Sequence, residues 1–281
     1  CRNPSCPGST PRILHAVTFI LITNDDGIAS PAVPALFAAL RGIAERVEVV
    51  VPDQERSWIG KAISRHGSID VHEVSFDGHV GYTAGGTPAD CAQLGIYNLF
   101  DATPDLVVSG INIGANHGSA YTIGSGTVGA AVEAAIAGIP ALAASASSRR
   151  DNWPEWNTTM RRPDAVPRWE PLAEITAAIA AEMLAAPPAD VDVLCANYPD
   201  GATPATPRRV VPLAETHYGQ LFQRQPQGHY AHDWTSDMKG RTETTGTDVA
   251  TVLDDECVAI TPLRLAGLAA PVQGLERFAA H

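Results

Sequence analysis

The chain is poor in several things that would assign a class at once. Its five cysteines (Cys1, Cys6, Cys91, Cys195 and Cys257) are scattered and odd in number, neither a disulfide framework nor a zinc-binding spacing. Charged residues are only 18% of the chain, yet no apolar run approaches the ~20 residues that a membrane-spanning helix needs. Basic residues (19) are outnumbered by acidic ones (31), leaving a formal charge of −12. That argues against a general nucleic-acid surface, which requires a basic stripe. It does not exclude small phosphorylated substrates, because a bound divalent cation dominates its own neighbourhood. The opening CRNPSCPGSTPR lacks the long apolar region of a secretory signal. Residues 1–16 therefore read as a flexible extension, and the protein as cytoplasmic.

What the chain does have is alternation. With 281 residues, 45% of them hydrophobic, it can bury one large core. Residues 17–23 (VTFILIT), 47–51 (VEVVV), 105–109 (DLVVS), 139–144 and 191–196 (VDVLCA) read as buried strands. Between them, 34–44, 88–99, 127–137 and 170–186 read as helices, with Pro88 suited to a first turn. Strand–helix repetition of this kind implies right-handed βαβ units. The expected architecture is a three-layer α/β fold, a doubly wound, mostly parallel, Rossmann-like sheet with a C-terminal β-hairpin or arm. We expect the core over 17–199, an extended hairpin or oligomerisation arm over 200–247, and a return to the core with a tail over 248–281. Residues 147–168, rich in Arg, Pro, Trp and Asn, read as a long loop.

In a doubly wound sheet, ligands bind beyond the carboxyl ends of the strands. The first strand ends in Asn24-Asp25-Asp26-Gly27, the second in PDQERS (52–57), the third in SGINIGAN (109–116). Two adjacent aspartates repel each other unless a cation or donors hold them. Carboxylates combined with neutral oxygens and water suit Mg²⁺, Mn²⁺ or Ca²⁺ better than zinc. The stretch GSGTVGAA (124–131) leads small residues into an Ala-rich helix that Ser125 or Thr127 can cap. Such a helix start binds phosphate through its backbone donors and dipole. It is not a P-loop, for no GKS or GKT follows, and no G-x-G-x-x-G follows the first strand.

NDDGIASPAV, VVPDQERS, GGTPADC, DLVVSGINIGAN, GSGTVGAAVEAAIAGIPALAAS and the late TDVATVLDDECVAITPL together resemble the SurE family of metal-dependent nucleotidases. The resemblance implies a metal site on Asp25, Asp26, Ser57 and Asn112. It also implies a phosphate site on Ser125, Gly126 and Thr127 with Asn116 nearby. The activity it implies is hydrolysis of nucleoside monophosphates by metal-assisted attack of water, with one divalent cation (Mg²⁺ or Mn²⁺) and Asp25 or Asp26 handling the water's proton. A homodimer or a dimer of dimers, built through the arm, is the expected assembly.

The chain departs from the family pattern at Lys61 (usually His), Ala62 (usually Ser) and Gly124 (usually Tyr or His). These departures are expected to sit close to the substrate, and they motivate two alternatives, a weakened metal- and phosphate-binding protein and a phosphatase for a non-nucleotide ester. His66 and His117 read as acids or supporting groups. Trp58 reads as a stacking or packing residue, and His217, His229 and His232 match no compact metal motif.

Overall fold

The computed structural model describes residues 17–76, 78–149, 152–232, 239–240 and 244–268; the extension expected over 1–16 lies outside them. The first half runs β1 (Phe19–Thr23), α1 (Ala32–Arg41), β2 (Arg46–Pro52), β3 (Val71–Phe76), β4 (His79–Ala84), α2 (Pro88–Tyr97), β5 (Leu106–Ile113), α3 (Gly118–Gly124), α4 (Gly126–Ile136) and β6 (Ala141–Ala146). The second half adds α5 (Trp153–Met160), α6 (Val166–Ala185), β7 (Val193–Tyr198), β8 (Arg208–Val210), β9 (Thr216–His217), β10 (Phe222–Arg224), β11 (Tyr230–His232), β12 (Lys239–Gly240), α7 (Asp248–Leu253) and β13 (Val258–Leu263).

Nine strands form one sheet in the order β3-β4-β2-β1-β5-β6-β7-β13-β8. From β4 to β7 all neighbours are parallel; β3 and β13 run antiparallel to β4 and β7. The central strands are buried on both faces, as FILIT in β1 and LVVSGINI in β5 dictate, since neither run offers a polar side to water. Helices α1 and α6 pack together over one face, and α2 and α4 over the other. Each face has its own apolar cluster, centred on Leu36, Trp169 and Tyr198 in one and Cys91, Ala130 and Ile96 in the other. The order of connection reverses between β1 and β5, where β1 leads outward one way to β2 and β5 the other way to β6. That is the switch point where a crevice opens. No helix among the described residues is long and apolar enough to cross a membrane.

Local chemistry explains most boundaries. Thr87 and Asp90 form a reciprocal capping box at the start of α2, with Pro88 in the first turn. Ser125 accepts from the Val128 N–H at 3.1 Å and so starts α4.

The structure corrects the sequence reading in four places. Residues 147–168 are not one loop: α5 lies within them, opened by Pro154 and anchored by buried Trp156 and Met160. Helix α6 begins at Val166, ahead of the expected 170, and tolerates Pro171 inside. The third strand does not stop at 109 but continues to Ile113. The β3–β4 hairpin was not anticipated, because its exposed positions break the apolar runs.

Within 200–247, β8 joins the main sheet beside β13. Strands β10 and β11 form a small hairpin, and β9 pairs with β12.

Candidate functional site

Strand β1 ends at Thr23, opposite Ser109 of β5, so the next residues emerge at the switch point. Asn24 locks the turn by donating to the Gly27 carbonyl and accepting from its N–H, both at 3.0 Å. The turn buries both aspartates: Asp25 is 3% exposed and Asp26 7%. Asp25 accepts from the Thr127 hydroxyl at 2.5 Å. Asp26 accepts through Oδ2 from the Ile113 N–H at 2.9 Å. Its Oδ1 lies 3.2 Å from an Arg161 guanidinium nitrogen but accepts no aligned hydrogen bond.

Burial raises both acids above the ordinary 3.8. Asp25 is pushed up to about 6, against the hydrogen bond from Thr127. Asp26 is pushed up to about 7, with the charge of Asp25 adding to desolvation and Arg161 opposing it. A buried carboxylate pair with one guanidinium beside it is short of positive charge. A divalent cation fits that deficit. Among the described residues no three His, Cys, Asp or Glu side chains cluster as a metal site; neutral oxygens stand nearby. Ser57, on the exposed rim, donates to Glu55 at 2.6 Å and keeps its lone pairs. Asn112 commits its amide nitrogen to the Gly114 carbonyl at 2.9 Å, leaving its Oδ1 as an available acceptor.

A cavity of about 600 Å³ opens here, lined by Asp25, Ser57, Asn112, Asn116 and Ser125 among others. Asp26 faces a smaller neighbouring pocket of about 270 Å³, together with Asp53, Glu55 and Arg161. The aspartate pair therefore stands as a wall between two spaces. Asn116 is fixed in the core by donating to Ser145 at 2.7 Å and, through its N–H, to Asn197 at 3.2 Å. Gly126 and Thr127 lie behind the lining. A Cβ at Gly126 would come within 2.9 Å of the Asp25 Cβ and 3.1 Å of Pro88, so only glycine lets the start of α4 press on the carboxylate. The first N–H groups of that helix have no intrahelical acceptor.

Arg161 and Tyr218 were not singled out by sequence reasoning. Arg161 follows α5, in the stretch read as loop, and also contacts Glu55 at 3.2 and 3.3 Å. Only the recognition of Pro154 as a helix opener could have found it. Tyr121 and Tyr218 line the cavity with Trp58 and His232, although no spacing linked them. His117 also lines it, 2% exposed. Burial pushes its pKa down against the pull of Asp248, and both ring nitrogens lack a hydrogen-bond partner. His66 is exposed and stands off the cavity.

Lys61 and Ala62 were expected close to substrate, and neither lines the cavity. Lys61 forms an ion pair with buried Glu133 on α4, while the Ala62 carbonyl accepts from Thr87 at 2.6 Å. Gly124 does line it.

The sequence model of the family described as "Survival protein SurE" matches residues 20–220. The chain is 36% identical over 250 residues to "5'-nucleotidase SurE" of Methanocella arvoryzae, covering 88% of this chain and 91% of that protein. Identity to "5'-nucleotidase SurE" of Methanocaldococcus jannaschii is 37% over 255 residues, 88% and 91% of the two chains. Among solved structures, the crystal structure of a SurE protein from Aquifex aeolicus superposes with a TM-score of 0.71 at 28% identity, covering 93% of this chain and 99% of that one.

Proposed function

The chain belongs to the SurE family, and from that premise we propose that it is a metal-dependent phosphomonoesterase releasing phosphate from nucleoside 5'-monophosphates. One observation carries the reading: the start of α4 is pressed against a buried carboxylate pair at the switch point of the sheet, with Thr127 bonded to Asp25. A helix start binds phosphoryl oxygens and a carboxylate pair holds a cation, so together they fit one small anionic ester.

Asp25, Asp26, Ser57 and Asn112 would hold the cation, Mg²⁺ or Mn²⁺ by their hard oxygen character. When bound, the cation supplies charge that polarises a phosphoryl oxygen or a water. The protein's own groups divide the remaining work. The N–H groups of Gly126 and Thr127, with the Ser125 hydroxyl, take the phosphoryl oxygens as negative charge develops on them. Asp25 faces the larger cavity and accepts the proton of the attacking water; Asp26 faces away from it. The water oxygen bonds to phosphorus, the P–O ester bond breaks, and the leaving oxygen takes up the proton that Asp25 accepted, which restores the carboxylate. Thr127 fixes the Asp25 carboxylate throughout.

The experiment is phosphate release from a panel of nucleoside monophosphates, with Mn²⁺, with Mg²⁺ and after chelation. Cation-dependent release supports the reading, and release that survives chelation overturns it. The arm of 200–247 exposes β10 and most of β11, and we infer that it pairs with a second copy in a homodimer or dimer of dimers. Sedimentation showing a monomer at micromolar concentration would rule that out.

A further inference from the structure

One wall of the cavity is aromatic. The Trp58 ring centroid lies 5.7 Å from Tyr121, 5.2 Å from Tyr218 and 5.3 Å from His232, and all four residues line the cavity. They come from separate segments: the loop after β2, helix α3, and the C-terminal arm at 218 and 232. Tyr121 and Tyr218 also meet, at 5.8 Å, and Phe222 backs His232 at 5.6 Å.

Trp58 has a φ of +61°, a left-handed conformation that a bulky residue adopts only where its surroundings enforce it. The residue nevertheless keeps 39% of its surface exposed. Core formation does not account for a tryptophan held in that conformation and left partly open beside a polar cavity.

Tyr218 is placed by a few local bonds. Its hydroxyl donates to the Ala120 carbonyl, and its segment is tied to α3 by Ser119 N–H to Ala214 O at 2.8 Å and Ala120 N–H to Thr216 Oγ1 at 2.9 Å. Burial pushes its phenol up to about 12, so it stays neutral and can donate. A Cβ at Gly124 would meet the Tyr218 hydroxyl at 3.1 Å and Trp58 at 3.8 Å. The missing side chain at 124 is what lets the arm's tyrosine close onto α3.

We propose that the wall of Trp58, Tyr121, Tyr218 and His232 is the leaving-group subsite, that it stacks a flat aromatic group such as a nucleobase, and that Tyr218 on the arm sets its specificity. The proposal rests on the phosphomonoesterase reading above. A base offers a π-face to such a wall, whereas a bare sugar or alkyl group does not.

The test compares adenosine 5'-monophosphate with ribose 5-phosphate, which share phosphate and sugar and differ in the base. With the Mn²⁺-loaded full chain, kcat/KM should favour the nucleotide by about tenfold or more, the worth of one stacked base. Trp58→Leu and Tyr218→Leu, which keep apolar bulk, should bring that ratio within about threefold of unity by raising KM for the nucleotide. Their kcat/KM for ribose 5-phosphate should fall far less than that for the nucleotide, and a circular dichroism spectrum and Tm matching the parent's show that they fold. Tyr218→Phe should keep the preference. A parent ratio near one, or a ratio that survives both leucine variants, overturns the proposal and leaves the phosphatase reading standing. If neither ester releases phosphate with Mn²⁺ or Mg²⁺, the phosphatase reading fails instead. Calorimetric titration of the same two compounds then decides the wall alone: tighter nucleotide binding lost in Trp58→Leu supports it, and equal binding overturns it.

Discussion

Strand β5 is buried at all eight positions, whereas β10 is exposed at all three. Both regions serve one cavity: β5 delivers Asn112, and the chain around β10 delivers Tyr218, Leu221 and His232. A central strand flanked by β1 and β6 cannot shift without breaking ladders on both sides. An arm held by a few bonds to α3 can. The phosphate side of the cavity is therefore rigid, and its far side rests on a weakly anchored segment. Catalytic geometry needs the first property, and accommodation of different leaving groups is served by the second.

The sharpest way to test that contrast is at the aspartates. Asp25→Asn should cut cation-dependent kcat by on the order of a thousandfold, since the bound cation is worth several kcal/mol to the transition state. The same variant should unfold, without metal, at an equal or higher temperature than the parent, because it removes one of two buried charges. A lower metal-free Tm would mean that Asp25 serves the fold instead. On the stability side, Leu106→Ala in β5 should cost ~3 kcal/mol by denaturant titration, the usual price of a fully buried leucine.

A further effect is expected with pH. The folded chain keeps protons on Asp25 and Asp26 at pH values where the unfolded chain, near 3.8, has released them. Metal-free stability should therefore fall as pH rises from about 4 to about 7, read as a falling metal-free Tm. Saturating Mn²⁺ or Asp26→Asn should flatten the slope, and a slope of the opposite sign would refute the raised values. Smallest of all, Phe222→Ala on the arm should change global stability by less than about 0.5 kcal/mol. A cost like that of Leu106→Ala would erase the distinction between the two regions.

That distinction also governs what could be read from the residues alone. Buried strands show themselves as unbroken apolar runs, so β1, β2, β5 and β7 were visible, and with them the sheet edge bearing Asp25, Asp26 and Asn112. Small residues running into an Ala-rich stretch marked the start of α4, and the resemblance then assigned roles to Ser57 and Asn116. The arm carries no such periodicity: Tyr218 lies 97 residues beyond Tyr121, and nothing local marks them as neighbours. Arg161 was hidden because Pro154 was taken as a loop residue. Lys61 misled for a related reason, since its ion pair with Glu133 is a contact across elements that no spacing predicts.

The outer strands of the sheet have a consequence for solubility. A strand with one unpaired side is a template on which another chain can add and propagate. At one end β3 alternates its partly buried positions with exposed His72, Glu73 and Ser75. At the other, β8 is three residues long and carries Arg208 and Arg209, each paired to a carboxylate, Glu182 and Asp255. Short length and charge discourage strand addition at both borders, so neither offers a long apolar edge on which a second chain could add.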